Sequence, residues 1–221
     1  MYGSTDKSLP QRILIFGLQC LFLAFVAWFL FFKGYEALGF SQGNEERKIL
    51  LFSFCLVVFL RMNYMMFFLL KRGITWEEAV SVPLAFAIYY IGFTLLGSTS
   101  KLPIDWIDYL AISVFITGSL INTISEVMRE RWKKDPRNKG HLYTKGLFKY
   151  AIHINYFGDL VWVSGFALLT RNSWSILVPA LLFVFFVFYN IPLHDKYLIN
   201  KYGKEFEQYR QKTKKLIPFI Y

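Results

Sequence analysis

The stretch KGLFKYAIHINYFGD (Lys145–Asp159) marks the point where a basic, aromatic loop passes directly into an apolar helix. Its first half contains lysines, a glycine and aromatic rings, and its second half carries Asn155, Tyr156 and Asp159. Such a change in character is typical of a loop that enters a membrane from its surface. We expect the residues before this stretch to build a membrane scaffold and those after it to close a charged cap.

The composition indicates a polytopic membrane protein. The 221 residues are 55% apolar and 20% aromatic, and several apolar runs approach the roughly 20 residues that a membrane-spanning helix needs. We predict an all-α fold, a single integral-membrane domain over residues 1–221 with about six transmembrane helices, a cytoplasmic cap and an amphipathic C-terminal tail. The spans are expected at residues 13–32, 49–70, 79–97, 109–125, 156–170 and 175–192.

The chain has a net charge of +10, and its basic residues lie between the apolar runs. This placement favours cytoplasmic loops over a nucleic-acid site. Residues 126–155 hold eight lysines and arginines and the tail from His194 holds seven, whereas residues 33–48 hold three. Both termini are therefore expected on the cytoplasmic side. A bacterial inner membrane and the endoplasmic reticulum fit equally well, and residues 33–48 are expected to form a solvated connector.

The second apolar run places Arg61, Asn63 and Tyr64 near its middle. A membrane arginine costs at least ~2.5–3.5 kcal/mol on insertion scales unless it faces protein, water or a counter-charge, so such residues are usually functional. Arg61 and Tyr64 share a helix face, and Asn63 points elsewhere. The alternative is structural: Arg61 neutralises a buried carboxylate.

The ends of two later helices carry recognisable signals. Glu77 and Glu78 are expected to cap the third helix, because carboxylates favour its positive dipole end; the alternative is that one of them reaches Arg61 or a ligand. Pro83 is expected to kink that helix. The sixth helix is expected to end at Pro192.

A polar stripe follows one face at the end of the fourth helix. Asn122, Glu126, Arg129 and Lys133 have the spacing i, i+4, i+7 and i+11. In a soluble protein, such a stripe is usually the solvent-exposed face of a helix. Since this stripe rises from an apolar run, the wall of a cavity that opens to the cytoplasm is the better interpretation.

The loop that follows combines cations, aromatic rings, Tyr150 and Tyr156 among them, and turn residues, and the next helix adds a stripe of Asn155, Asp159 and Trp162. Cationic side chains and stacking rings around a helix start are what a nucleotide-like cofactor with phosphates needs. A topology signal or a contact with anionic lipids is the alternative.

The C-terminal tail is amphipathic. Tyr197, Leu198, Tyr202, Phe206 and Tyr209 recur at helical spacing among charges. The tail is expected to lie on the cytoplasmic face with its last residues, LIPFIY, tucked back. It serves as a membrane-surface anchor or as a lid over the 126–159 cluster, and the two roles are compatible.

Several common site motifs are absent. The sequence has no G-x-G-x-x-G after a strand, no Walker loop and no H-E-x-x-H, and its three histidines lack metal-like spacing. A Rossmann-bound cofactor, a zinc hydrolase and a metal site are therefore not expected.

The segment GLFKYAIHINYFGDLVWVSGFAL (residues 146–168) resembles the C-terminal domain of the steroid 5-alpha-reductase family. The helix end INTISEVMRERW, the turn FFLLKRG and the closing KKLIPFIY are similar to further stretches of that family in the same order. The resemblance covers the chain from roughly residue 60 to residue 221.

This resemblance implies an integral-membrane reductase that binds NADPH in a polar cavity on the cytoplasmic side without a Rossmann fold. Matching positions imply cofactor contacts from Asn122, Glu126, Asn155 and Asp159. At two of these positions the acids are exchanged, since Glu126 stands where the family tends to have an aspartate and Asp159 where it tends to have a glutamate. The tail would contribute His194, Tyr197 and Tyr202.

The chain departs from the family at the catalytic position. The family's catalytic tyrosine falls at Leu60, and its partner glutamate has no equivalent in the first helix. That difference puts a 3-oxo-steroid substrate in doubt, and Tyr64 with Arg61 is the alternative pair for polarising a carbonyl.

The same superfamily shape includes isoprenylcysteine carboxyl methyltransferases and phospholipid methyltransferases, which bind S-adenosylmethionine at the matching place. The tail resembles theirs as well. Their core reads R-H-P-x-Y, whereas residues 152–156 read IHINY without the arginine and proline. The reductase is thus the first hypothesis and the methyltransferase the second.

Our main hypothesis is an NAD(P)H-dependent reductase of an activated carbon–carbon double bond in a lipid-like substrate that enters from the bilayer. No protein partner is implied, and a non-catalytic protein that holds anionic membrane lipids is the third hypothesis. The predicted catalytic residues are Tyr64 and Arg61. The predicted cofactor-binding residues are Asn122, Glu126, Arg129, Lys133, Tyr150, Asn155, Tyr156, Asp159, His194, Tyr197 and Tyr202.

Overall fold

The computed structural model describes residues 8–221, and throughout that range the regular elements are helices, with one isolated bridge between Ala151 and Lys214. The all-α prediction is confirmed. Residues 1–7 lie outside the described residues. The α-helices are α1 (Leu9–Phe31), α2 (Gly34–Ala37), α3 (Glu45–Tyr64), α4 (Trp76–Ala87), α5 (Phe93–Ser98), α6 (Trp106–Lys133), α7 (Ile154–Leu169), α8 (Leu177–Phe185), α9 (Ile191–Tyr202) and α10 (Lys204–Lys212).

Five helical segments within residues 8–221 are long and apolar enough to cross a membrane. They are Leu9–Phe31, Glu45–Leu69, Trp76–Ser98, Trp106–Lys133 and Ser173–Tyr202, and the apolar helix Ile154–Leu169 is shorter. The chain is therefore a polytopic integral membrane protein with roughly six spans, as the composition predicts.

Three of these segments are extended or joined by π-helical turns, at Met65–Leu69, Ile88–Gly92 and Phe186–Asn190. The prediction that the sixth helix ends at Pro192 is wrong. Pro192 occupies the first turn of α9, directly after the π turn Phe186–Asn190, where the Ile191 N–H bonds the Phe186 carbonyl five residues back, and the helix continues to Tyr202. Pro83 is buried inside α4, which passes into a π turn at Ile88.

The chain forms two compact units. The first contains the described residues up to Ile112 together with Phe166–Ile176, and the second contains Ser113–Gly165 and Leu177–Tyr221. Helices α6 and α7 contribute residues to both.

A buried ion-pair network ties three loops of the first unit together. The Arg47 guanidinium pairs with the Asp108 carboxylate, both side chains being fully buried, and it also donates to the Leu169 carbonyl at 2.9 Å. Arg171 pairs with Asp105 and lies 3.8 Å from Asp108. The expectation of a solvated connector over residues 33–48 is wrong at its end, because Arg47 anchors α3 inside the protein.

Polar side chains also close the ends of helices in the first unit. Arg12 of α1 donates to the carbonyls of Met66, Leu70 and Arg72, which lie at the end of the α3 segment. Thr75 and Glu78 form a reciprocal capping box at the start of α4. Glu78 confirms the predicted cap, and its carboxylate also accepts two bonds from Arg72, at 2.7 and 2.8 Å, rather than from Arg61.

The C-terminal tail of the second unit packs on the loop before α7. Leu198 and Phe206 form a buried cluster with Ile152, and the backbone N–H groups of Ile152 and His153 donate to the carbonyls of Lys214 and Lys215 at 2.8 and 3.0 Å. The predicted amphipathic tail is thus confirmed.

The side-chain contacts of the tail extend this packing. The Tyr209 hydroxyl donates to the Phe148 carbonyl, and burial raises the pKa of Tyr209. Leu216 is fully buried, as predicted for the tucked terminus, whereas Phe219 and Ile220 are exposed, contrary to that prediction. The tail therefore covers the loop through helix packing and backbone bonds, and its end turns back so that the N–H groups of Leu216 and Ile217 both donate to the Tyr221 carbonyl at 2.7 Å.

The ion pair between Arg47 and Asp108 gives a stability prediction. Replacing Asp108 by Ala should lower the free energy of unfolding by about 3–5 kcal/mol, because the Arg47 charge would stay buried without its partner. The measurement is thermal unfolding of the detergent-purified protein. The control is Arg137→Ala, which removes an exposed pair with Asp135 and should leave the melting temperature unchanged. Equal melting temperatures for the two variants would contradict the prediction.

Candidate functional site

Two glycines bring the backbones of α6 and α7 into direct contact in the second unit. A Cβ atom at Gly118 would overlap the backbone nitrogen of Trp162, and one at Gly158 would lie 2.5 Å from the backbone nitrogen of Asn122. Both obstructions are backbone atoms, so a side-chain rotation cannot relieve them. Small residues at such positions are how membrane helices pack closely.

The close contact joins four of the predicted site residues in one polar chain. The Asn122 amide donates to the Asn155 carbonyl at 3.0 Å, and the Asn155 amide donates to Glu126 Oε1 at 3.0 Å. Arg129 pairs with the other carboxylate oxygen of Glu126. Because Asn122 and Asn155 are buried, their hydrogen bonds lie in a low-dielectric environment, where such bonds are electrostatically stronger than in water.

The charged end of this chain is partly open. The Glu126 and Arg129 side chains are 13% and 28% exposed, and the Arg129 guanidinium lies 5.6 Å from the centre of the Phe148 ring. An amide and a guanidinium thus fix both oxygens of one carboxylate. The arrangement leads from a buried amide pair to a cationic group at the loop.

Asp159 lies on the same helix one turn beyond Asn155. Its Oδ1 accepts a hydrogen bond of 2.8 Å from the indole of Trp162, and Trp162 is buried against the edge of Phe115, with ring centres 6.2 Å apart. The stripe of Asn155, Asp159 and Trp162 predicted from spacing therefore has a fixed carboxylate.

A group of stacked rings surrounds the start of α7. Tyr156 stacks on His153 with ring centres 5.4 Å apart and on Phe186 at 4.7 Å. His194 of α9 lies 5.4 Å from His153 and stacks on Tyr197 at 6.2 Å. The structure thus brings the predicted residues Tyr156, His194 and Tyr197 into one cluster.

Sequence reasoning missed a hydrogen-bonded pair in this cluster, His153 and Asp195. His153 Nε2 lies 2.8 Å from Asp195 Oδ1, and the two side chains are 1% and 12% exposed. Among residues 8–221, His153 Nδ1 has no hydrogen-bond partner. The two residues are 42 positions apart, and no local spacing pairs them.

The other predicted cofactor residues, Tyr150, Tyr202 and Lys133, lie outside the polar chain that runs from Asn122 to Arg129. Tyr150 is exposed and contacts Phe219 and Lys149. Tyr202 is partly buried with the Lys201 amine 5.4 Å from its ring centre. Lys133 is exposed at the end of α6. Their assignment to the cofactor stays a prediction.

The predicted catalytic pair belongs to the first unit. Arg61 is buried, whereas Tyr64 is 42% exposed and stacks on Phe68. Asn63 points elsewhere, as predicted, and donates to Gln19 of α1 at 3.0 Å. Across the part of the chain that the structure describes, no group of three or more histidine, cysteine and acidic residues is arranged to hold a metal ion.

The sequence matches the family model described as "Protein of unknown function (DUF1295)" over residues 2–213. The chain belongs to the DUF1295 family. That membership defines no activity, so relatives of known activity carry the functional comparison.

Two classes of enzyme are similar to this DUF1295 chain. Rattus norvegicus 3-oxo-5-alpha-steroid 4-dehydrogenase 1 is 28% identical over 186 residues, which cover 80% of this chain and 69% of the relative. Homo sapiens 3-oxo-5-alpha-steroid 4-dehydrogenase 2 is 34% identical over 112 residues, or 51% of this chain and 42% of the relative. Schizosaccharomyces pombe protein-S-isoprenylcysteine O-methyltransferase is 36% identical over 85 residues, or 38% of this chain and 36% of the relative. The superfamily resemblance predicted from the motifs is confirmed, and the chain spans less than half the length of two of these relatives.

The glycine contact between α6 and α7 can be tested directly. Gly158→Ala should lower stability by about 1–3 kcal/mol, because its new methyl group meets the backbone of Asn122. Gly17→Ala on α1 is the matched control, since nothing lies within 4 Å of its Cβ position, and it should be neutral or stabilising. Thermal unfolding in detergent distinguishes them, and a Gly158→Ala protein as stable as the wild type would refute the close contact.

Proposed function

We propose that this chain is a membrane-embedded oxidoreductase that uses NADPH to reduce an activated carbon–carbon double bond in a lipid-like substrate. The observation that carries the proposal is the polar chain from Asn122 through Asn155 and Glu126 to Arg129. Similarity to the 3-oxo-5-alpha-steroid 4-dehydrogenases supports the reaction class.

The chemistry of the donor set fits a phosphorylated dinucleotide. Amide and carboxylate groups such as Asn122 and Glu126 suit the carboxamide and the ribose hydroxyls, and guanidinium and ammonium groups such as Arg129 and Lys133 suit phosphates. The rings of Tyr156 and Tyr197 belong to an aromatic cluster with Phe186 and His194, which would form an apolar wall beside these groups. These residues, with Tyr150, Asp159, His194 and Tyr202 at the margins, are the proposed cofactor contacts.

The protein's own groups have distinct tasks in this proposal. When bound, NADPH would supply a hydride. Glu126 orients the Asn155 amide and the Arg129 guanidinium, and the tail that covers residues 142–153 excludes water from the loop side. Arg61 and Tyr64 are proposed to polarise the substrate carbonyl as negative charge develops on its oxygen.

The charge of the loop favours this dinucleotide over a sulfonium compound. Residues 126–155 hold eight lysines and arginines, which attract phosphates and repel a cation. Glu126 is already paired with Arg129, so its charge is largely compensated. The reductase alignment with the rat enzyme also covers 80% of the chain, against 38% for the methyltransferase.

A second candidate is an S-adenosylmethionine-dependent methyltransferase of a membrane-embedded substrate. The specific observation in its favour is the cluster of rings around His153 and Tyr156 next to the Asp195 carboxylate. Aromatic faces near a carboxylate suit a sulfonium cation. This candidate predicts the opposite ligand response.

A thermal-shift titration with NADPH, NADH and S-adenosylmethionine tests the cofactor. Because a ligand that binds only the folded state raises its stability, NADPH at 100 times its dissociation constant should add about 2.7 kcal/mol. We expect stabilisation by NADPH and no effect of S-adenosylmethionine. Stabilisation by S-adenosylmethionine alone would replace the reductase by the methyltransferase, and no response to any of the three would favour a non-catalytic lipid-binding protein.

A pair of asparagine variants tests the location of the cofactor. Asn122→Leu should abolish most of the NADPH-dependent shift in melting temperature, because it removes the amide that holds the Asn155 carbonyl. Asn63→Leu removes another buried amide, bonded to Gln19 in the first unit, and should preserve the shift. The shift is compared with each variant's own ligand-free melting temperature. Equal NADPH responses in the two variants would place the cofactor elsewhere.

A further inference from the structure

The last residues of the chain form a tight turn that exposes two large apolar side chains. The Ile217 N–H donates to the Tyr221 carbonyl at 2.7 Å, and the Ile217 carbonyl accepts from the N–H groups of Ile220 and Tyr221 at 3.1 and 3.0 Å. Phe219 and Ile220 are 77% and 73% exposed. We call residues 217–221 the terminal turn. Its backbone is held by its own hydrogen bonds, and its apolar side chains lie at the surface of the second unit.

Phe219, at the tip of the terminal turn, has a left-handed backbone conformation with φ of 66°. This conformation is unfavourable for a bulky residue with a Cβ atom. Strain of this kind persists only where the surrounding structure enforces it, and it is frequent at segments that contact a ligand. Packing inside the protein does not account for a strained position whose ring is mostly exposed, so we looked for a partner outside the protein.

Two lysines flank the terminal turn. The Lys149 amine lies 4.7 Å from the ring centre of Tyr150, and the centre of that ring lies 5.6 Å from the centre of the Phe219 ring. The Lys215 amine lies 5.7 Å from the ring centre of Tyr221. Positive charge and exposed aromatic surface therefore lie side by side at this end of the chain.

Acidic residues are absent from the sequence around these lysines. Residues 139–158 hold three lysines, residues 208–221 hold four lysines and arginines, and neither segment contains an aspartate or a glutamate. The positive charge near the terminal turn is not offset within these segments, and such a patch attracts anions.

The terminal turn lies beside the start of the apolar helix α7. The N–H groups of Ile152 and His153 donate to the carbonyls of Lys214 and Lys215, directly before α7 begins at Ile154. The turn is therefore tied to the place where the chain enters a membrane segment. At that depth apolar side chains reach the acyl chains of the lipids, while lysine amines reach the phosphate groups.

We propose that the terminal turn binds an anionic phospholipid of the membrane that the chain spans. Phe219 and Ile220 insert among the acyl chains, and the amines of Lys149 and Lys215 hold the headgroup phosphate. A zwitterionic lipid offers the same acyl chains, but its choline group offsets the phosphate charge, so the lysines select the anionic lipid. This lipid contact is independent of the cofactor and of the reaction proposed above.

The first measurement places a fluorescent reporter on the terminal turn. Ile220→Cys is labelled with the dye nitrobenzoxadiazole, and Gln208→Cys, an exposed position on α10, is the matched label site. Wild-type protein taken through the same labelling step gives the background from Cys20 and Cys55. In phosphatidylcholine vesicles that contain phosphatidylglycerol, with a nitroxide on the acyl chains of both lipids, the dye at residue 220 should be quenched strongly and the dye at residue 208 weakly.

The second measurement tests selection of the headgroup with the dye at residue 220. In vesicles with equal fractions of the two lipids, the nitroxide is carried either by phosphatidylglycerol alone or by phosphatidylcholine alone, and the two quenching efficiencies give the relative affinity of the lipids. Phosphatidylglycerol should be preferred by about fivefold or more, the change expected from one lysine near an anionic surface. Replacing Lys149 and Lys215 together by Gln should bring the ratio close to one, and added salt should lower it.

Replacing Lys139 and Lys204 together by Gln is the matched control. It removes the same charge from exposed positions near Glu205, since Lys204 precedes Glu205 and His141, two residues after Lys139, lies 3.7 Å from the Glu205 carboxylate. This pair should keep the preference for phosphatidylglycerol. Thermal unfolding of every variant checks that the protein is folded, and all of these substitutions lie at the surface, so the melting temperatures should be alike.

Three outcomes would overturn the proposal. Equal quenching at residues 220 and 208 would mean that the terminal turn does not insert into the bilayer. A quenching ratio near one with the lysines unchanged would mean that no headgroup is selected. An equal loss of preference in the two lysine pairs would assign the effect to the overall charge of the protein rather than to the terminal turn.

Discussion

The backbone contact between α6 and α7 is the constraint on which the second unit depends. Gly118 and Gly158 leave no room for a Cβ atom, and only at this separation does the Asn122 amide reach the Asn155 carbonyl, and Asn155 the Glu126 carboxylate. The glycines contribute nothing to the chemistry themselves. They set the distance between two helices, and the polar chain follows from that distance.

The first unit shows how a membrane protein accommodates charge. Arg47 is fully buried but is surrounded by the Asp108 carboxylate and backbone carbonyls, and Arg12 satisfies three carbonyls at the end of the α3 segment. Each of these arginines donates to backbone carbonyls at a point where the helix ends. Such carbonyls could not remain without a hydrogen-bond partner in the hydrocarbon core of a membrane.

The sequence was informative wherever a feature repeats along one helix. The stripe of Asn122, Glu126 and Arg129, the cap at Glu78 and the amphipathic tail all depend on local spacing, and they were predicted. Pairs between distant residues were not: Arg47 bonds Asp108, which lies 61 positions away, and His153 bonds Asp195. The continuation of α9 past Pro192 was missed because the residues before the proline form a π turn, which no spacing rule indicates.

The same polar scaffold suits two kinds of cofactor, and the balance of charge is what distinguishes them. Buried amides such as Asn122 and Asn155 bind neutral groups and do not discriminate between a dinucleotide and a sulfonium compound. Discrimination falls to the ionic groups, where Arg129 compensates Glu126, while the lysines of the loop and tail have few acidic neighbours in sequence. A site whose carboxylate is already neutralised and whose rim is cationic attracts phosphates and opposes a sulfonium, and this physical asymmetry is the reason to rank the dinucleotide first.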